Sequence, residues 1–240
     1  MSFEATQTVG EIAAQVPGAT REFEKLGIDY CCGGTRTLGE ACAAAQISVE
    51  QALSRLQSGL AAAQPQPGRD WKSEPLSDLI AHITSRHHVF VREESPRIAK
   101  LAAKVVAVHG ANHPELLEVQ NLFSALAGEL SVHLMKEEQV LFPHVVRMEE
   151  AALAGEPTPP AMFGTVVSPV RMMMQEHDNA GEVLKKLRAV SKDYTVPEDG
   201  CISYATLYDA LRAFEGDLHQ HIHLENNILF PRAVAMEARK

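Results

Sequence analysis

Two segments of the chain spell the same pattern of potential metal ligands. His133-x3-Glu137-x3-Leu141–Phe142–Pro143 and His221-x3-Glu225-x3-Leu229–Phe230–Pro231 both read H-x-x-x-E-x-x-x-L-F-P, with 221 − 133 = 88 residues between them. Glu129 and Asp217 each stand four residues before their His, so each segment carries an acid, a His and a Glu at i, i+4 and i+8. That spacing stacks the three on one face of a helix. In the first segment the same stripe holds Leu122, Phe123, Leu126, Leu130, Leu134, Val140 and Leu141. In the second it holds Leu207, Leu211, Phe214, Leu218, Ile222, Ile228 and Leu229. A carboxylate among core residues is costly unless it is paired or bound to a metal. A pair of buried Glu–His hydrogen bonds is the competing account, and it explains a symmetric repeat less well. Two facing copies of a helical hairpin are what such a repeat implies.

Further ligands must come from the two other long helical patterns. His177 lies on the apolar face of Val170, Met173, Met174, Gly181 and Leu184. The remaining pattern offers His82, His87 and His88. Periodicity leans to His87, which follows Ile80 and Ile83, whereas the repeat favours His88, because 177 − 88 = 89 lies nearest the offset of 88. Taking His88 gives four His and two Glu: His88, His133, His177, His221, Glu137 and Glu225. Six ligands converging in a bundle core suit two metals, with the carboxylates free to bridge. Imidazole and carboxylate without thiolate favour iron, then manganese or zinc. No H-E-x-x-H occurs, which excludes the zinc hydrolases built on it. Glu129 and Asp217 are natural acceptors for ligand N–H groups or a bound water, and equally candidates for a salt bridge at the bundle end.

Four amphipathic patterns must position these residues: 76–108, from about 112 to 148, 166–190 and 203–237. With short connections they read as an up-down-up-down four-helix bundle. Pro143 and Pro231 fall late in two of them and should kink the helices there. The Pro/Gly-rich run 63–75 reads as a linker. It divides the chain into a small helical domain, residues 1–62, and the bundle, residues 76–240. Ser48 with Gln51 forms a capping box ahead of Val49, Leu53, Leu56 and Leu60. A helical unit of this size is marginal alone, which leaves room for a homodimer.

Composition bounds the function. The chain has 240 residues, 22 Lys+Arg against 31 Asp+Glu, a formal charge of −9 and only 5% aromatics. Few aromatics and much alanine favour an all-α fold. The acidic balance argues against nucleic acid and anionic membranes as partners. The first ten residues lack the features of a signal peptide, and no apolar run approaches a membrane span, so a cytoplasmic protein is expected.

The chain resembles the repair-of-iron-centres (ScdA/YtfE-type) family of iron–sulfur cluster repair di-iron proteins over nearly its whole length. Gly27–Ile28–Asp29–Tyr30–Cys31–Cys32–Gly33–Gly34 matches that family's D-Y-C-C-G-G signature. Arg86–His87–His88, His133-x3-Glu137, Glu176–His177–Asp178 and His221-x3-Glu225–Asn226–Asn227 match its hemerythrin-like domain. The resemblance selects His88 as ligand and marks Glu176 as an accessory residue. It implies two non-haem iron ions, oxo- and carboxylate-bridged through Glu137 and Glu225. It also implies repair of clusters damaged by oxidative or nitrosative stress, with damaged iron–sulfur proteins as clients and nitric oxide or oxygen as small ligands. His109 matches a His in the family's equivalent loop. Its role stays open between helix cap, transient ligand and channel residue.

Adjacent cysteines do not readily bond to each other. Cys31 and Cys32 are therefore expected to act as a redox or transfer pair where their thiolates are accessible, which a tight turn at Gly33–Gly34 allows; a buried structural Cys at a helix end is the alternative. Cys42 reads as core and Cys201 as incidental. His219 and His223 read as solvent-facing, beside Arg212, Glu215, Gly216, Asn226 and Asn227. Three functions compete: cluster repair by iron donation or nitric oxide removal, nitric oxide reduction or scavenging, and an oxygen-binding sensor of the hemerythrin kind. The last gives the Cys–Cys domain no task.

Overall fold

The computed structural model describes residues 3–16, 18–62 and 70–238, and among them it contains no strand, only two isolated β-bridges. Residues 63–69, most of the expected linker, lie outside the described residues. The chain is an all-α helical bundle with four short helices ahead of it. These are α1 (Val9–Gln15), α2 (Ala19–Lys25), α3 (Leu38–Ala44) and α4 (Val49–Ala62). Thr8 with Glu11 and Thr37 with Glu40 close capping boxes at α1 and α3. Ser48 and Gln51 bond reciprocally ahead of α4, as their spacing predicts.

The long helices follow the sequence pattern with one difference. The first is α5 (Leu76–His82), π1 (Ile83–His88) and α6 (Val89–His109), and the second is α7 (Glu115–Lys136), π2 (Glu137–Leu141) and α8 (Phe142–Ala154). The third is α9 (Val167–Val190), and the fourth is α10 (Ile202–Leu224), π3 (Glu225–Leu229) and α11 (Phe230–Ala238). At Pro143 and Pro231, where kinks are expected, the helix passes through a π-turn. The Phe142 amide donates to the Glu137 carbonyl and the Phe230 amide to that of Glu225, five residues back in each case. Proline lacks the amide hydrogen and its ring collides with the carbonyl four residues back. A wider turn just before it relieves the collision.

A turn closed from i to i+5 holds one residue more than an α-turn, so the buried face slips by one position. Val140, expected in the core, is 48% exposed, while Leu141 beside it is buried. In π1 the same slip buries His88 fully, five residues after Ile83, which is why an α-helical count leans to His87.

By internal contacts the described chain forms two compact units. One comprises Ala81–His144 and Ser168–Leu218, and here all four long helices meet. Phe214 of α10 lies 5.2 Å from Phe123 of α7 and 6.2 Å from Phe90 of α6, ring centre to ring centre. Arg188 of α9 donates to Glu215 of α10 at 2.7 Å. Val91, Ile98, Val105, Val119, Leu126, Leu184 and Leu211 fill the remaining core. Each such side chain contributes roughly 1.5–3 kcal/mol on burial.

The other unit comprises the chain up to Ile80, Val145–Val167 and His219 onward. Val9, Ile12, Phe23, Leu38, Cys42 and Leu56 form its small core, with Cys42 buried as expected. Tyr30 stacks on Phe23, donates to Glu24 at 2.9 Å and accepts from Gln220 at 2.8 Å. Asn227 Nδ2 donates to the carbonyls of Tyr30 (3.1 Å) and Cys31 (3.3 Å). The face of α10–π3 that reads as solvent-exposed is therefore covered: His223 and Asn226 are buried. Polar residues line it because they bond the N-terminal backbone. Likewise Glu215 is buried where it takes Arg188.

Candidate metal centre

Within the first unit, Glu137 opens π2 and points its two carboxylate oxygens at different histidines. Oε2 lies 3.4 Å from His88 Nε2 and Oε1 lies 3.3 Å from His133 Nε2. His177 Nε2 stands 3.0 Å from His133 Nε2. Ligand atoms of His133, Glu137 and His177 all fall within 4.8 Å of one another. All four side chains are buried, with His88 and Glu137 wholly inaccessible. Two ring nitrogens aimed at each other with a carboxylate between them and a third ring make a cation-binding donor set.

The outer ring nitrogens strengthen that reading. His88 Nδ1 lies 2.7 Å from Glu138 Oε1, and His133 Nδ1 lies 2.8 Å from Glu176 Oε2. A carboxylate on Nδ1 holds the proton there and leaves the Nε2 lone pair directed inward, which is how ligating histidines are usually oriented. Burial raises the Glu138 carboxyl, but hydrogen bonds from Arg92 and His88 outweigh it and hold the group below its ordinary value. Glu176 is lowered likewise, burial again opposing, by Lys136 and then His133.

In the second unit His221 and Glu225 repeat the arrangement, with His221 Nε2 3.0 Å from Glu225 Oε1 and both buried. The remaining expected residues fall elsewhere. Asp217 bonds His87 Nδ1 at 3.0 Å, so its acceptor serves a histidine outside the six. Glu129 is exposed, one turn up the helix from His133. It lines a cavity of about 440 Å³ together with Leu126, Leu130, His133, Lys136 and His177. The acceptor positions on His88 and His133 belong to Glu138 and Glu176. Glu138 was legible only as the second acid of Glu137–Glu138, since its partner stands 50 residues away.

The cysteine motif is only partly accessible. Cys31 is only 5% exposed and Cys32 is half-buried, their sulfurs 3.9 Å apart. Gly33 and Gly34 serve close approach. A Cβ on Gly34 would lie 2.1 Å from Asn227 Oδ1, and one on Gly33 would lie 2.7 Å from the Asp29 carbonyl. The backbone is thus pressed against π3, and that pressing buries Cys31. Asp29 Oδ1 accepts from the amides of Cys32 and Gly33, both at 3.0 Å, and faces the Cys31 sulfur at 3.5 Å. The hydrogen bond with Cys32 and then burial hold the Cys31 thiol well above its ordinary range. Asp29, Cys31 and Cys32 nonetheless offer three ligand atoms within 4.8 Å of one another.

His109, left open by the sequence, ends α6 with Nε2 3.1 Å from Cys201 Sγ. Among the described residues no helix is long and apolar enough to cross a membrane.

Residues 79–233 match the hemerythrin HHE cation binding domain family, and residues 5–59 match a domain family of unknown function named ScdA_N. The chain is 36% identical over 231 residues to the iron–sulfur cluster repair protein YtfE of Pectobacterium atrosepticum, covering 96% of this chain and 98% of that one. It is 37% identical to the protein of that name from Citrobacter koseri, covering 99% and 100%. A probable iron–sulfur cluster repair protein of Haemophilus influenzae is 36% identical, covering 98% and 99%.

Proposed function

The chain belongs to the iron–sulfur cluster repair family with a hemerythrin HHE cation binding domain, and from that premise we propose that it repairs damaged clusters with a pair of iron ions. His88, His133, Glu137 and His177 would hold them, and the sequence repeat assigns His221 and Glu225 the same role. The observation that carries this reading is the divergence of the Glu137 oxygens toward His88 and His133. A carboxylate bridging two metals needs that divergence, and a simple buried ion pair does not. The H-x-x-x-E repeat supplies Glu225 as its counterpart.

When bound, two ferrous ions supply two electrons and open coordination positions for small ligands. The chain's own groups do the rest. Glu138 and Glu176 keep the Nδ1 protons of His88 and His133 in place. Iron released to a client is cargo in this scheme, and Cys32, the more accessible of the motif's two thiols, would receive it or the client. Damaged iron–sulfur proteins are the proposed clients, in the cytoplasm, under oxidative or nitrosative stress. The test is metal analysis with Mössbauer spectroscopy on wild type, Glu137→Ala and Glu225→Ala, beside restoration of a damaged cluster enzyme in vitro. Two antiferromagnetically coupled irons, lost in either variant, are expected. Two uncoupled irons in the wild type would remove the bridged pair.

The cavity of about 440 Å³ beside His133 and His177 favours a second reading, removal of nitric oxide. Its apolar wall of Leu126, Leu130 and Ala180 suits a small, weakly polar gas. Nitrous oxide formed over several turnovers with a reductant supports reduction; nitric oxide taken up once and retained counts against it.

A further inference from the structure

Of the four cysteines Cys201 is the exposed one, and it does not stand alone. It immediately precedes α10, with its carbonyl accepting from the Ala205 amide at 3.1 Å. The start of α10, through the Tyr204 and Ser203 amides, favours its thiolate. Across from it, His109 closes α6 and brings Nε2 to 3.1 Å from Sγ. The His109 ring packs edge-on against Tyr204, 5.5 Å between centres, with His113 at 6.4 Å. His113 is in turn held by Asp199 at 2.9 Å and Glu115 at 3.3 Å. A nucleophile and a base 92 residues apart are thus in hydrogen-bond reach, with the base positioned by its neighbours.

We infer that Cys201 and His109 form a thiol-exchange site, at which Cys201 attacks low-molecular-weight disulfides and carries the resulting mixed disulfide. His109 takes the proton of the Cys201 thiol. The thiolate attacks one sulfur of the disulfide, a Cys201–S–S bond forms and the S–S bond of the reagent breaks. The departing thiolate takes the proton back from His109. Cys201 is oxidised and one half of the reagent is reduced to a thiol, so the step needs no further oxidant. His109 lies 21 residues of α6 beyond His88, about 30 Å at 1.5 Å per residue. The exchange is thereby separate from the metal residues.

The thiolate is accessible near neutral pH. The hydrogen bond from His109, then the Tyr204 amide, bring Cys201 down to about 7. Cys31 and Cys42 are shifted the other way, the latter by burial. Without His109 the thiol returns toward about 8.5. At pH 7 its thiolate fraction then falls roughly 16-fold while each thiolate becomes about 5-fold more nucleophilic, a net loss of about 3-fold in rate.

The test treats the full-length protein with oxidised glutathione across pH, reading intact mass and mapping the modified peptide. One adduct on Cys201, with a rate midpoint near pH 7, is expected. In His109→Gln the midpoint should move up by more than one pH unit, and Cys201→Ser should lose the adduct while keeping its iron content. Modification of Cys32 ahead of Cys201, or a wild-type midpoint at the ordinary thiol value, would overturn the assignment. So would the same midpoint in wild type and His109→Gln.

Discussion

Glu138→Ala tests whether the carboxylate behind His88 orients a metal ligand. Glu138 Oε1 is 2.7 Å from Nδ1 of a ring with no solvent access, and its other oxygen accepts from Arg92 at 2.7 Å. Removing an acceptor of this kind costs about 10- to 100-fold in metal affinity. The Glu138 side chain is 28% exposed, so water can take over part of its role. The lower end is expected, about 10-fold or ~1.4 kcal/mol. Glu176→Ala behind His133 should behave alike, being similarly exposed and shared with Lys136. Chelator competition for iron, with stoichiometry by metal analysis, measures the effect. Arg92→Ala is the control, because a surface ion pair contributes only about 0–1 kcal/mol and His88 keeps its acceptor. If Glu138→Ala binds iron as tightly as wild type while His88→Ala does not, the orienting role is wrong. If Arg92→Ala costs as much as Glu138→Ala, charge at the rim matters and the hydrogen bond does not.

Gly34→Ala forces Asn227 away from the Tyr30 and Cys31 carbonyls. A loss of about 1–3 kcal/mol in thermal or denaturant unfolding is expected, with faster alkylation of Cys31 by mass spectrometry; unchanged values in both would sink the close-packing account. Tyr208→Phe takes the hydroxyl partner at 3.2 Å from buried Tyr204, which should cost about 1 kcal/mol, visible as a fall in Tm. The His113 imidazole titrates above its ordinary value, chiefly through Asp199, so NMR titration should place its midpoint higher than in Asp199→Asn. Its folded-state value is raised. Its contribution to stability is therefore complete below the unfolded value and vanishes as pH rises through the folded one.

Much of the molecule was legible from local pattern. The apolar spacing marked four long helices, Ser48 with Gln51 marked the start of α4, and the repeat singled out His133, Glu137, His221 and Glu225 as chemically unusual. Where the reading slipped, the cause was non-local or lay in the turn type. An α-helical count across π1 leaned to His87, because an i to i+5 turn adds a residue that no propensity announces. The same slip turned Val140 outward. Asn226 and Asn227 look like a solvated face until the N-terminal backbone supplies their partners, and His223 until Asn227 and the Tyr30 ring meet it.

The sequence by itself determined the all-α architecture, the donor types and their spacing along each helix, since periodicity and ligand chemistry are properties of neighbouring residues. The tertiary structure decided which carboxylate backs which histidine, that Cys31 is enclosed, and that Cys201 meets His109. Those are encounters between residues tens of positions apart, created only when helices pack, and helix spacing along one strand of chain carries no information about them.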